Sequence, residues 1–154
     1  LLNFNLSNIF INDKNYSFNY FINSSIINSK YTSSVVPGVK GNNVEFVPKL
    51  NVKTGFKFGY KDLMFNIQYT YLSNQFTDAS NAIESNLSGL IGEIPKYDIL
   101  DVSTSYFYKK FKVETGINNV LDNHYFTRRA TGYPGPGIIP SEPRSVYLTV
   151  QVKI

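Results

Sequence analysis

Val146-Tyr147-Leu148-Thr149-Val150-Gln151-Val152-Lys153-Ile154 closes the chain in unbroken alternation. A β-strand repeats every two residues, so the five aliphatic side chains take one face and the four others the opposite one. A final strand with one wholly apolar face suits a sheet wrapped into a barrel in lipid, oily outside and wet inside.

The pattern recurs upstream. Phe111, Val113, Thr115 and Ile117 alternate with Lys112, Glu114, Gly116 and Asn118. Before them, Leu100, Val102, Thr104, Tyr106 and Tyr108 oppose Asp101, Ser103 and Ser105 on a strand that begins at Tyr97. Leu63 to Tyr71 alternates in the same way, and Tyr16 to Ile26 does so with Phe21 intruding on the polar side. The longest strand is expected over Val44 to Tyr60; Pro48 removes a ladder donor, which places it near a rim or bulge. Lys61-Asp62 and Lys109-Lys110 read as tight turns. Ser33–Gly41, Thr77–Pro95 and Arg128–Pro143 read as long loops rich in Asn, Ser, Gly and Pro. Leu1 to Asn15, with its Asn12-Asp13-Lys14-Asn15 turn signal, is either a strand end or a turn folded against a barrel mouth.

Six strands result, with short and long connections alternating and no helical period. That is the build of an antiparallel transmembrane β-barrel, and a tilted strand needs about 9–11 residues to cross a bilayer. A soluble sandwich, with cross-strand aromatic pairs, remains the other reading of the same alternation. The polar positions favour the barrel, being mostly Asn, Ser, Gln and Thr with few charges, and Phe58-Gly59-Tyr60, Tyr69-Thr70-Tyr71 and Tyr106-Phe107-Tyr108 suggest girdles at strand ends.

Composition narrows the classes. The chain has 154 residues with 12 Tyr, 12 Phe and no Trp, so Tyr must serve any interfacial belt. No Cys means no disulfide or thiolate site, and the single His124 rules out a multi-histidine metal centre within the chain. The net charge of +4 is spread along strands, which argues against a nucleic-acid groove. No run approaches the roughly 18 apolar residues of a transmembrane helix. Six strands leave two open edges that lipid does not tolerate. With no initiator Met or secretory signal, Leu1 reads as a cut end, so residues 1–154 are expected to be one part of a single barrel domain whose earlier strands precede it.

The last third resembles a known family. Asn118-Asn119-Val120-Leu121-Asp122-Asn123-His124-Tyr125 resembles the penultimate strand of TonB-dependent outer-membrane receptors, and Phe126 to Gly137 followed by a terminal alternating strand extends the likeness. Val44 to Lys49 and Tyr71 to Asn81 are similar to the ferric citrate receptor branch. The resemblance implies a 22-stranded barrel in a Gram-negative outer membrane, of which this chain holds the last six strands. It implies a plug domain in the lumen, a TonB box upstream that couples to the inner-membrane energy complex, lipopolysaccharide and lipid as neighbours, and a ferric chelate as ligand. No cofactor is implied. The family usually ends on an aromatic residue, and Ile154 departs from that.

Arg128 and Arg129 open the last long loop, where forked guanidinium donors match the carboxylates of a chelate. Loop anchoring, or contact with lipopolysaccharide phosphates, is the alternative role for the pair. The resemblance brings the same loop into a ligand vestibule, which adds Tyr133 and Arg144 as ligand-binding candidates. Asp101 and Glu114 face the wet side; Asp122 and His124 suit strand-end hydrogen bonding better than metal binding; and Glu84 and Glu93 lack calcium-loop spacing. No catalytic or metal-ligating residue is expected, and a non-enzymatic importer leads over a small outer-membrane enzyme or a soluble β-sandwich binding module.

Overall fold

The computed structural model describes residues 1–10, 13–132 and 135–153. Strand β1 (Leu2–Asn5) is followed by a single helical turn, α1 (Ser7–Phe10), then β2 (Tyr16–Ile26), β3 (Leu50–Tyr60) and β4 (Leu63–Leu72). Two short strands, β5 (Gln75–Phe76) and β6 (Glu93–Ile94), lie in the next connection. Then come β7 (Tyr97–Tyr108), β8 (Phe111–Asn118), the pair β9 (Phe126–Ala130) and β10 (Gly137–Pro140), and β11 (Ser145–Val152). Seven strands form one antiparallel sheet in the order β1-β2-β3-β4-β7-β8-β11, while β5-β6 and β9-β10 are separate two-stranded sheets.

Register makes the faces continuous. Tyr20 pairs with Phe56, Phe56 with Ile67, Ile67 with Val102, and Val102 with Ile117, which pairs with Val146. Directly opposed residues share a face. One face is therefore apolar from β1 to β11, and the other carries Asn19, Lys57, Asn66, Ser103 and Gly116. Along the apolar face the rings of Phe18 and Phe56 stack at 5.6 Å, Tyr20 meets Phe56 at 4.9 Å and Tyr16 meets Tyr60 at 4.5 Å. Aromatic groups thus run through mid-strand as a ladder, and are not confined to girdles at the strand ends.

Among the described residues, no second layer covers the apolar face. Phe56 is 42% exposed, Tyr108 55% and Leu148 70%, and the buried hydrophobic residues are Val39 and Ile94, both in long connections. A soluble sandwich would bury this face against a second sheet about 10 Å away. Its threonines add a chemical detail. Thr104 donates to the Met64 carbonyl (3.0 Å), Thr115 to the Tyr147 carbonyl (2.8 Å) and Thr54 to the Phe21 carbonyl (2.9 Å). Thr70 and Thr149, on the polar face, form no such bond among the described residues. Tying off the threonine hydroxyls of the apolar side suits a solvent without hydrogen bonds.

Large side chains on the polar face lie over glycines directly across the ladder. A Cβ on Gly55 would come within 2.9 Å of the Phe21 ring, and one on Gly116 within 2.6 Å of the Tyr147 ring. Glycine is required there by close approach, not by its backbone angle.

Several expectations are corrected. The main sheet has seven strands, not six, because Leu2–Asn5 pairs with residues 19–22 of β2. The third strand starts at Leu50, not Val44: Phe46 adopts φ 56°, outside any strand, and Pro48 lies in the approach. Asn119 to Tyr125 is a turn, not a strand, with Asn119 and Asp122 at positive φ. The expected Arg128–Pro143 loop contains much of a hairpin. Asn12 and Ile154 lie outside the described residues.

Candidate functional site

The antiparallel meander puts residues 61–62, 109–110, 6–10 and 13–15 at one end of the sheet and the described residues of the long connections, 27–49, 73–96, 119–132 and 135–144, at the other. Arg128, Arg129 and Arg144 belong to this long-loop end.

Polar bonds sew the three connections together. The Asn81 carboxamide accepts from the Asn43 backbone N–H (2.7 Å) and donates to the Asn43 carbonyl (2.9 Å), a two-way clamp that mimics a strand pair. Asn42 adds a bond to the Ala79 carbonyl (2.9 Å). Within 73–96, Thr77 exchanges bonds with Gly92, donating at 2.8 Å and accepting at 3.0 Å, and Asn74 donates to Glu93. Ile94, 0% exposed, sits in β6 at this end.

Arg129 joins the second connection to the third. Its guanidinium donates to Ser85 Oγ (2.6 Å), the Gly89 carbonyl (2.9 Å) and the Glu93 carbonyl (3.0 Å), and lies over the Phe126 ring at 5.3 Å. Arg129 is thus an anchor between loops, the alternative role foreseen for it. Arg128 precedes it in β9 and points to the other face of the hairpin, so the two do not form one clamp. Arg128 is exposed, and its guanidinium meets no partner among the described residues. Arg144 is also exposed with an uncommitted guanidinium, while its backbone N–H donates to Asp122 (3.0 Å). Tyr133 lies outside the described residues.

Sequence reasoning missed the centre of the Asn-rich motif. Asn119 is 2% exposed, its side chain bonds both the N–H (3.0 Å) and carbonyl (2.9 Å) of Asn123, and its own N–H donates to the Asp101 carboxylate (2.9 Å). Asn123 reaches the Asp98 carbonyl (2.9 Å). Asp101 therefore caps a turn. Glu114 instead pairs with Lys112 at 2.8 Å, the one salt bridge among the described residues. His124 Nδ1 lies 3.1 Å from the Asp122 carbonyl, a local turn contact. No cluster of three His, Cys, Asp or Glu forms among the described residues. In the first long connection, Tyr31 donates to Glu45 at 2.5 Å; that bond, with some burial and the nearby negative charge, holds its phenol above the ordinary pKa. The polar face of the sheet bounds a hollow of about 590 Å³ between Lys57, Asn66, Gln68, Ser105 and Lys112.

The complete arrangement matches solved structures. The ferric citrate transporter FecA in its unliganded form superposes with a TM-score of 0.82 at 23% identity, over 95% of this chain and 22% of that one. The chain shares its fold with iron-uptake receptors. The ferric yersiniabactin uptake receptor FyuA from Yersinia pestis gives a TM-score of 0.70 at 18% identity, over 92% of this chain and 21% of that one. The siderophore receptor PiuA from Acinetobacter baumannii gives 0.63 at 23% identity, over 88% and 19%. The chain spans about a fifth of the length of each of these structures. No protein-family model matches the sequence. The resemblance read from the Asn-rich motif and the fold likeness point to the same proteins, and those neighbours are transporters and receptors rather than enzymes.

Proposed function

We propose that this chain is a wall section of a TonB-dependent outer-membrane receptor that imports a ferric chelate, ferric citrate being the first candidate. The observation that carries the reading is the uncovered apolar face with its three tied-off threonines, on a fold shared with FecA. That face meets hydrocarbon, and the Asn/Ser/Gln-rich face meets an aqueous lumen and its plug. The open edges β1 and β11 require further strands in lipid, consistent with a 22-stranded barrel in a Gram-negative outer membrane. TonB supplies energy through a segment outside this chain, and lipopolysaccharide and lipid surround the wall.

In this reading, Arg128 and Arg144 contact the anionic chelate at the long-loop end because their guanidinium donors are uncommitted among the described residues. Tyr133 joins them from the same loop, and Arg129 holds the vestibule's shape.

The test is uptake of radiolabelled ferric citrate by cells whose own ferric citrate receptor is deleted and which express the full-length protein. TonB-dependent accumulation is expected. An Arg128→Ala/Arg144→Ala double variant should lose roughly tenfold or more in affinity, two charge-assisted contacts being removed. Uptake that persists without TonB, or no uptake of any ferric chelate, contradicts the reading.

A further inference from the structure

We infer that the short-turn end of the sheet is a docking rim for anionic phospholipid headgroups, built from the twin turns Tyr60-Lys61 and Tyr108-Lys109. The inference rests on the membrane reading of the apolar face.

The two turns share an unusual geometry. Each places a lysine in left-handed backbone, with φ 51° at Lys61 and 53° at Lys109. Tight hairpins need positive φ at this position, and Gly, Asn or Asp satisfy it at less cost than lysine. Each lysine then lies over the ring of the tyrosine before it, at 5.3 Å for Lys61 and 5.2 Å for Lys109. Tyr60 and Tyr108 belong to the apolar face. The conformation therefore holds each ammonium at the line where that face meets water, the level of a lipid phosphate.

The turns are neighbours on a fixed frame. The Asp62 carbonyl accepts from the Phe107 N–H at 3.0 Å, Lys61 N–H donates to the Asn15 carbonyl at 2.8 Å, and Lys153 N–H to the Lys110 carbonyl at 2.8 Å. Neither Lys61 nor Lys109 has a carboxylate partner among the described residues. Tyr16, tilted against Tyr60 with ring centroids 4.5 Å apart, and Tyr106 extend the phenol row beside them.

Charge is partitioned to suit this partner. The short-turn end carries Lys14, Lys61, Lys109, Lys110 and Lys153 against Asp13 and Asp62, whereas the basic and acidic groups of the long connections nearly cancel. Basic groups beside an apolar band attract anionic lipid, with phenols available to hydrogen-bond the phosphate. Charge complementarity and continuity with the apolar face thus commit the rim to an anionic phospholipid rather than a soluble anion.

The test uses full-length protein purified in detergent. Insertion into phosphatidylcholine vesicles is first checked by protease protection, and retained lipid is then measured by native mass spectrometry after exchange into nanodiscs of phosphatidylglycerol and phosphatidylcholine. Preferential retention of phosphatidylglycerol is expected. It should fall roughly thirtyfold in Lys61→Asn/Lys109→Asn, two surface lysines being lost, and persist in Lys61→Arg/Lys109→Arg. Asparagine suits left-handed backbone better than lysine, so the first variant keeps its turns. Equal retention of the two lipids, unchanged retention in the asparagine variant, or equal competition by free inorganic phosphate overturns the inference alone. Failure to insert overturns the membrane reading with it.

Discussion

The sheet and the long-loop end of this molecule are held together by opposite means. The sheet is wide, regular and almost coreless: its largest side chains stand open on one face, and backbone ladders do the joining. The long-loop end is irregular, yet it contains Val39, Ile94, Gln75 and Asn119, four of the most buried side chains, and side-chain hydrogen bonds link it. On the proposed membrane reading, the two regions answer to different solvents: water-exposed loops must build their own interior, while a wall in lipid would receive its apolar surroundings from outside.

Charge substitution on two adjacent residues should break the comparison most strongly. Leu148→Lys places an ammonium on the apolar face at mid-strand and should cost about 2–4 kcal/mol in denaturant unfolding from lipid vesicles. Thr149→Lys, one residue on and on the polar face, should cost less than about 0.5 kcal/mol. Equal costs would mean that the two faces meet the same solvent.

In the loop region, Asn119→Ala should cost about 2 kcal/mol in the same assay. It removes two part-buried hydrogen bonds and leaves alanine in left-handed backbone. Arg129→Gln should act locally: amide exchange across residues 85–93 should quicken by about tenfold while global unfolding stays nearly unchanged. A global loss instead would mean that the loops carry the stability of the sheet.

The smallest effect concerns Tyr31. Its phenol is held above the ordinary pKa of 10.0 by donating to Glu45. The folded state therefore holds this proton more tightly than the unfolded chain. The contribution is full below pH 10.0 and is lost as pH rises through the raised value. Ultraviolet titration should show a late-ionising tyrosine that is missing in Tyr31→Phe.

Legibility in the sequence follows the same division. Strands β2, β4, β7, β8 and β11 can be read because one face is apolar and the other polar over eight or more residues. Strand β1 was ambiguous because four residues followed by a polar turn carry little periodic signal. At Val44 to Pro48 the alternation is accidental, since Phe46 N–H bonds the distant Phe76 carbonyl instead of a strand neighbour. The Asn-rich stretch looked like a strand because Val120 and Leu121 lie within it, but Asn119 and Asp122 in left-handed conformations turn it. For the candidate site, chemistry was legible and commitment was not. The bonds of Arg129 reach residues 36 to 44 positions away, so nothing near it in sequence distinguishes it from Arg128.

The central claim is that hydrocarbon meets the apolar face and water the polar one. Since this chain has no Cys, nitroxide labels can be placed singly along β4 at residues 63–72, in full-length protein reconstituted in vesicles with any cysteines elsewhere replaced, and collision with oxygen compared with collision with a water-soluble nickel chelate. The account predicts a period of two, with oxygen favoured at positions such as Ile67 and the chelate at positions such as Gln68. Chelate access at both, or protection of Ile67 from both reagents, would contradict it.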